Sequence, residues 1–250
     1  MCVTQGASAA PGALAGLPPG APRDITPDVP SSSTEPKFAV PKPGSEASPR
    51  ERLAALCDGF ARLAPDVAHA ELKRAAVAIA LVGDPRQPGE LALLLTRRAK
   101  TLRSHGGQWA LPGGRCDPGE TAIETALREL HEELGLELAS DAVLGQLDDY
   151  PTRSGYVMSP VVVWGGASPA LAPNPLEVAS VHYIPLAHIA IEDAVTFVTI
   201  PESPRPVVRF HLNGSHLHAP TAAVIYQFRE LLAGRTTRVA ELEQPVFAWR

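Results

Sequence analysis

Between Gly114 and Leu136 the chain reads GRCDPGETAIETALRELHEELGL, and this run restricts the fold more than any other stretch. Ile123, Leu127, Leu130 and Leu134 recur at i, i+4, i+7 and i+11, the spacing of one apolar helix stripe, and Gly135 stands where a left-handed residue ends a helix. The pattern predicts a helix over residues 120–134 with one face in a core. Glu129, Glu132 and Glu133 stand at i, i+3 and i+4, so they share a face beside that stripe. Three like charges repel, and near a helix C-terminus the macrodipole already disfavours anions. A hard cation held by carboxylate oxygens removes both penalties.

The neighbours of this cluster reinforce the point. Ala122 and Ala126 project from the side of Glu129 and Glu133, which leaves room for a loop or ligand. Arg128 is four residues from Glu132 and can orient or neutralise one carboxylate. Pro112-Gly113-Gly114 lets the backbone come close, so that a carbonyl can join an ion's shell. An acidic helix face turned to solvent is the plain alternative. The glycine pair, the arginine and the glutamate spacing occurring together weigh against it.

These residues carry a resemblance. The run resembles the Nudix box, G-x5-E-x7-R-E-U-x-E-E-x-G-U with U a bulky apolar residue, and matches it at Gly114, Glu120, Arg128, Glu129, Leu130, Glu132, Glu133, Gly135 and Leu136. The resemblance implies the α/β Nudix fold, a mixed β-sheet sandwiched between helices, and hydrolysis of a diphosphate linkage in a nucleotide derivative. It implies Mg²⁺, or alternatively Mn²⁺, bound by Glu129, Glu132 and Glu133 with the Gly113 carbonyl assisting. Glu120 and Arg128 would hold the loop–helix–loop in shape. A diphosphate repels the oxygen of water, so the ion must neutralise it while a carboxylate accepts the water's proton. That base is a box glutamate or one from a later loop; for Glu177 the choice lies between that role and a structural glutamate at a strand start.

Upstream, Leu94-Leu95-Thr96-Arg97-Arg98-Ala99, then Arg103, Gly107 and Leu111-Pro112-Gly113-Gly114, is similar to the signature of the coenzyme A diphosphatase branch, L-L-T-x-R-[SA]-x3-R-x3-G-x3-F-P-G-G. Leu111 departs from it, standing where the branch has Phe, and Trp109 is expected to alter the loop beside the metal site. This second resemblance implies cleavage of coenzyme A or acyl-CoA to 3′,5′-ADP and (acyl-)4′-phosphopantetheine. Arg98 and Arg103 suit an extra phosphate, because guanidinium groups bind phosphate bidentately; a solvated basic loop is the alternative. Gly107, Gly113 and Gly114 would line the same substrate side. ADP-ribose, a dinucleotide or a nucleoside triphosphate is the competing substrate class, and a non-catalytic Nudix-like binding module the competing function.

Elsewhere the sequence is less specific. Residues 1–49 hold ten of the 26 prolines and are expected to form a disordered tail, with residues 50–250 as the Nudix domain. Ser48-Pro49 opens a predicted helix with Leu53, Leu56, Phe60 and Leu63 at helical spacing. Ala75–Val82 and Glu90–Thr96 read as paired strands, followed by a polar loop through Gly114; further strands are expected at 142–150, 156–164 and 178–184, a hairpin at Asn213-Gly214 and a helix at 220–233. The net charge of −5 argues against a nucleic-acid partner. Three scattered cysteines and the absence of an apolar run of roughly 18 residues lead us to expect a cytoplasmic protein without a membrane contact. A homodimer is left open. His211, His216 and His218 read as a polar hairpin face, with a zinc site as the alternative; Cys116 reads as a spectator, and Trp249 and Phe247 as the cover of an apolar patch or a dimer contact.

Overall fold

The computed structural model describes residues 47–102, 105–212 and 214–248. Nearly all of the expected tail, together with Arg103, Asn213 and Trp249, lies outside the described residues. Ser48 caps α1 (Pro49–Asp58): its hydroxyl accepts the Glu51 N–H at 3.2 Å, and the Glu51 carboxylate accepts the Ser48 N–H at 2.6 Å. This reciprocal cap satisfies two otherwise orphaned donors. The expected stripe outruns the helix, which stops at Gly59: Phe60 is buried from the chain beyond it and Leu63 is exposed.

The central strand is β1 (Lys73–Gly83). Beside it lie β2 (Leu91–Arg98), antiparallel after the proline-bearing turn, and β7 (Tyr156–Gly166), parallel. Along β7 run β5 (Val143–Gln146) and β6 (Tyr150–Pro151), and along β2 runs β8 (Val178–Pro185), all antiparallel. The result is a mixed eight-stranded sheet. Part of the expected polar loop is sheet as well. In it, β3 (Trp109–Ala110) pairs with β2 and β4 (Gly113–Arg115) pairs with β1, Gly114 opposite Ala76 and Gly113 opposite Val77.

Alternation along β1 divides the core. Ala76, Ala78, Ala80 and Val82 face one side, and Val77, Ile79 and Leu81 the other. The small side receives α2 (Ala122–Leu134), whose Ala122, Ala126, Leu130 and Leu134 are buried with it. Ala122 and Ala126 therefore do not make room for a ligand. They fill the core, small side chain against small side chain, and bring the helix backbone close to the sheet. Ile123 and Leu127 of the expected stripe are only half buried.

The bulky side is covered by α1, by α4 (Thr221–Leu232) and by a second, three-stranded sheet of β9 (Val195–Ile200), β10 (Ser203–Leu212) and β11 (Ser215–His218). A short α3 (Leu186–Ala190) links β8 to this layer. The β10–β11 hairpin turns where expected, with Gly214 at φ +70. His211 lies opposite His216, their rings 4.6 Å apart edge to face, while His218 rests on Phe247 at 5.0 Å. Ring contacts of this kind make a hairpin surface.

Three buried carboxylates fasten the segment after α4. Glu230 binds Arg235 and Thr237, Glu243 binds Arg153, and Asp148 accepts Arg238, Gln227 and the Leu63 N–H. Among the described residues no helix is long and apolar enough to cross a membrane.

Candidate functional site

Helix α2 is fixed in place at both ends. At its start Thr121 and Glu124 form a capping box, with the Glu124 N–H on the Thr121 hydroxyl at 3.2 Å and the Thr121 N–H on the Glu124 carboxylate at 2.8 Å. At its end Gly135 adopts φ +64, ψ +16, the left-handed stop predicted from the sequence. The loop after β7 then clasps this end: Ala172 donates to the Leu134 carbonyl at 2.7 Å and Asn174 to the Glu133 carbonyl at 2.9 Å.

Arg128 organises one side of the cluster. Its guanidinium meets Glu120, Glu129 and Glu132, each at 2.9 Å, and donates to the Arg115 carbonyl at 3.1 Å. Glu120 also accepts the Asp117 N–H and the Thr125 hydroxyl, both at 2.9 Å. The hydrogen bond from Arg128, followed by that from Asp117, holds the Glu120 carboxyl down at about 2, well below the usual range. Glu120 and Arg128 thus tie the loop ahead of α2 to the helix.

Glu133 stands apart from this network. Its side chain is 5% exposed, and its Oε2 is buried without a hydrogen-bond partner. Burial pushes its pKa up to about 8, with Glu129 and Glu177 adding to the rise while Arg98 and the Gly113 amide oppose it. Burial also raises the Glu129 carboxyl, again with Glu177 contributing. Glu177 is brought here by backbone bonds: its N–H donates to the Asn174 carbonyl at 3.1 Å, and its own carbonyl accepts Ala99 N–H at 2.7 Å.

The glycine pair lies in the same place. A methyl group on Gly114 would sit 2.2 Å from the Glu129 Oε1, and one on Gly113 would sit 2.3 Å from the Ala76 carbonyl oxygen. Close backbone approach was the expected reason for these glycines. The structure locates it in a strand edge, between β1 and the carboxylates.

The expected trio is not gathered as three ligands. Glu132 is half exposed and shares Arg128 with Glu129, whereas Glu133 is buried beside Glu129 and Glu177. Among the described residues no three His, Cys, Asp or Glu side chains stand ready to hold an ion. The donor set nonetheless fits a hard divalent cation: it offers only oxygens, Glu133 keeps a buried oxygen unsatisfied, and the burial that lifts its pKa is opposed by any positive charge beside it.

Of the expected substrate residues, Arg98 points toward α2 and forms an ion pair with Glu133 at 3.6 Å. Sequence reasoning missed this contact. The alternation of β2, with Leu94 in the α2-side core, placed Arg98 on that face. Gly107, at φ +73, turns the β2–β3 connection and donates to the Arg98 carbonyl at 3.0 Å. Trp109 does not border the carboxylates. It lies under Arg97 at 4.8 Å and against His182 at 4.5 Å, packed on the bulky-side core. Cys116 is half buried and a free thiol.

The NUDIX domain profile matches residues 72–199, half of the chain, and spans β1, α2 and the carboxylate cluster. The chain belongs to the Nudix family. Curated Nudix relatives include the uncharacterized Nudix hydrolase NudL of Photorhabdus laumondii, 41% identical over 116 residues, covering 46% of this chain and 60% of the relative. NudL of Yersinia pestis is 45% identical over 118 residues, covering 46% and 56%. The chain therefore spans 56% to 60% of the length of these relatives. Among solved structures, a MutT/nudix family protein from Enterococcus faecalis overlays with a TM-score of 0.44 at 18% identity, covering 75% of this chain and 68% of that one.

Proposed function

We propose that this Nudix protein hydrolyses the diphosphate linkage of a nucleoside diphosphate derivative, with coenzyme A or acyl-CoA as substrate. The observation that carries the proposal is Glu133, a buried carboxylate with an unsatisfied oxygen set beside Glu129 and Glu177. Folding alone does not account for such a group, because burying a carboxyl whose hydrogen bonding is incomplete is destabilising. In this reading Glu129, Glu132 and Glu133 hold Mg²⁺ or Mn²⁺, with the Gly113 carbonyl alongside. When bound, the cation supplies positive charge to the diphosphate and makes a nearby water easier to deprotonate.

The chain's own residues supply the rest. Arg128 and Glu120 position the helix and loop that carry the glutamates. Glu177 accepts the proton of the attacking water, whose oxygen bonds to phosphorus as the bridging P–O bond breaks. By the resemblance, Arg98 and Arg103 are the residues assigned to the anionic end of the substrate. The coenzyme A assignment is supported by the Leu94–Gly114 resemblance, and Leu111 in place of Phe is its one departure among the positions compared.

The test is a substrate panel of coenzyme A, an acyl-CoA, ADP-ribose, a dinucleotide and nucleoside triphosphates, with Mg²⁺, with Mn²⁺ and with a chelator. Coenzyme A should yield 3′,5′-ADP and 4′-phosphopantetheine, and chelation should stop the reaction. Cleavage of ADP-ribose with coenzyme A untouched would reject the coenzyme A assignment, and cleavage of nothing would reject the enzyme. Glu133→Gln, which removes charge at nearly constant volume, should cut turnover about a hundredfold or more while the far-UV spectrum stays native.

A further inference from the structure

The two arginines at the carboxylate cluster behave differently. Arg128 makes three ion pairs at 2.9 Å with hydrogen-bond geometry. Arg98 reaches Glu133 only at 3.6 Å, Nη1 to Oε1, too far for a hydrogen bond. Each partner of that pair keeps a buried polar atom unsatisfied, Nε on Arg98 and Oε2 on Glu133. The contact thus neutralises charge without completing the hydrogen bonding of either group. Exposure is unequal as well: the Arg98 side chain is 29% exposed and that of Glu133 5%. The guanidinium can leave toward solvent, whereas the carboxylate is fixed on α2.

We infer that Arg98 is the resident counter-ion of Glu133 and competes with a divalent cation for it. The inference rests on the proposal that Glu133 holds the cation. A cation that takes Glu133 must displace or repel the guanidinium, so the arginine weakens ion binding and frees Glu133 only for a cation able to satisfy it better. Arg97, the adjacent residue, supplies the control. Its guanidinium lies over Trp109, on the opposite face of the sheet, and should not compete.

The experiment is calorimetric titration of the full chain with Mn²⁺ alone, without substrate, for wild type, Arg98→Gln, Arg98→Lys and Arg97→Gln. Arg98→Gln should bind Mn²⁺ about five- to tenfold more tightly than wild type, in line with loss of one partly screened opposing charge. Arg98→Lys and Arg97→Gln should stay within about twofold of wild type by the same reasoning. Equal or weaker binding by Arg98→Gln, or tightening by Arg98→Lys to the same degree, overturns the inference. If Arg98→Gln does not fold, Arg98→Met carries the same test. Failure of the underlying proposal looks different: wild type then takes up no Mn²⁺ at all.

Discussion

At the scale of single residues, the site is decided by where a side chain is missing as much as by where one is present. Gly114 leaves the space that the Glu129 carboxylate occupies, and a methyl group there would overlap Oε1 at 2.2 Å. Gly114→Ala should therefore displace Glu129, lowering turnover about a hundredfold, as misplacement on the ångström scale does, with little change in melting temperature. Steady-state kinetics beside a thermal melt check this, and a variant with wild-type turnover would show that Glu129 is not held where the reaction needs it. The residues around it differ in how readily the sequence discloses them. The grouping of Glu120, Glu129 and Glu132 around Arg128 is legible because one helix and its entry loop impose their spacing, whereas the separate burial of Glu133 is not. The pairing of Arg98 with Glu133 is not legible either, since it joins a strand to a helix and has no local pattern. Nor is the proximity of Glu177, which depends on a loop folding back onto the helix end through Asn174.

At the scale of elements, α2 was readable because its start, stripe and stop all lie within the run from Glu120 to Gly135. Its cap is the most exposed part of that design. Thr121→Ala removes the hydroxyl that accepts the Glu124 N–H and should cost about 1 kcal/mol. A shift of the denaturant midpoint at unchanged slope is the expected result, and an unshifted midpoint would mean that solvent replaces the cap without cost. Strands β3 and β4 escaped the sequence reading for the opposite reason. They contain two and three residues, β4 is rich in glycine, and both form only because longer strands offer them hydrogen-bonding edges. β9 is not among the expected strands either, and the helical spacing runs past the end of α1 because Phe60, although buried, is not helical. The strand β1 is legible as a buried strand; its division into a small and a bulky face comes from the structure. Ala122 and Ala126, expected to leave room for a ligand, instead answer the alanines of β1 in the core, a match between two distant segments that no local pattern shows.

At the scale of the molecule, the segment after α4 closes the bulky side of the sheet. Glu243 illustrates how firmly. The Arg153 guanidinium, aided by the Gln244 N–H, holds its carboxyl down at about 2. Because the folded value lies below the ordinary one, this stabilisation is complete above about pH 4.5 and is lost as the pH falls toward 2. Allowing for the half-exposed Arg153, wild type should lose about 1–2 kcal/mol more than Glu243→Gln across that window. Denaturant titrations of both proteins at the two ends of the window test it, and parallel losses would show that the pair contributes nothing. Asp148 has a consequence in time. It lies 90 residues ahead of Arg238, one of its partners in the finished fold. While the chain is being synthesised, the carboxylate is made long before the arginine exists. Until the ribosome has released that later stretch, the part already made, through Pro185, can form the main sheet but not seal it, and a nascent chain stalled before residue 238 should remain open to chaperones and proteases at this seam.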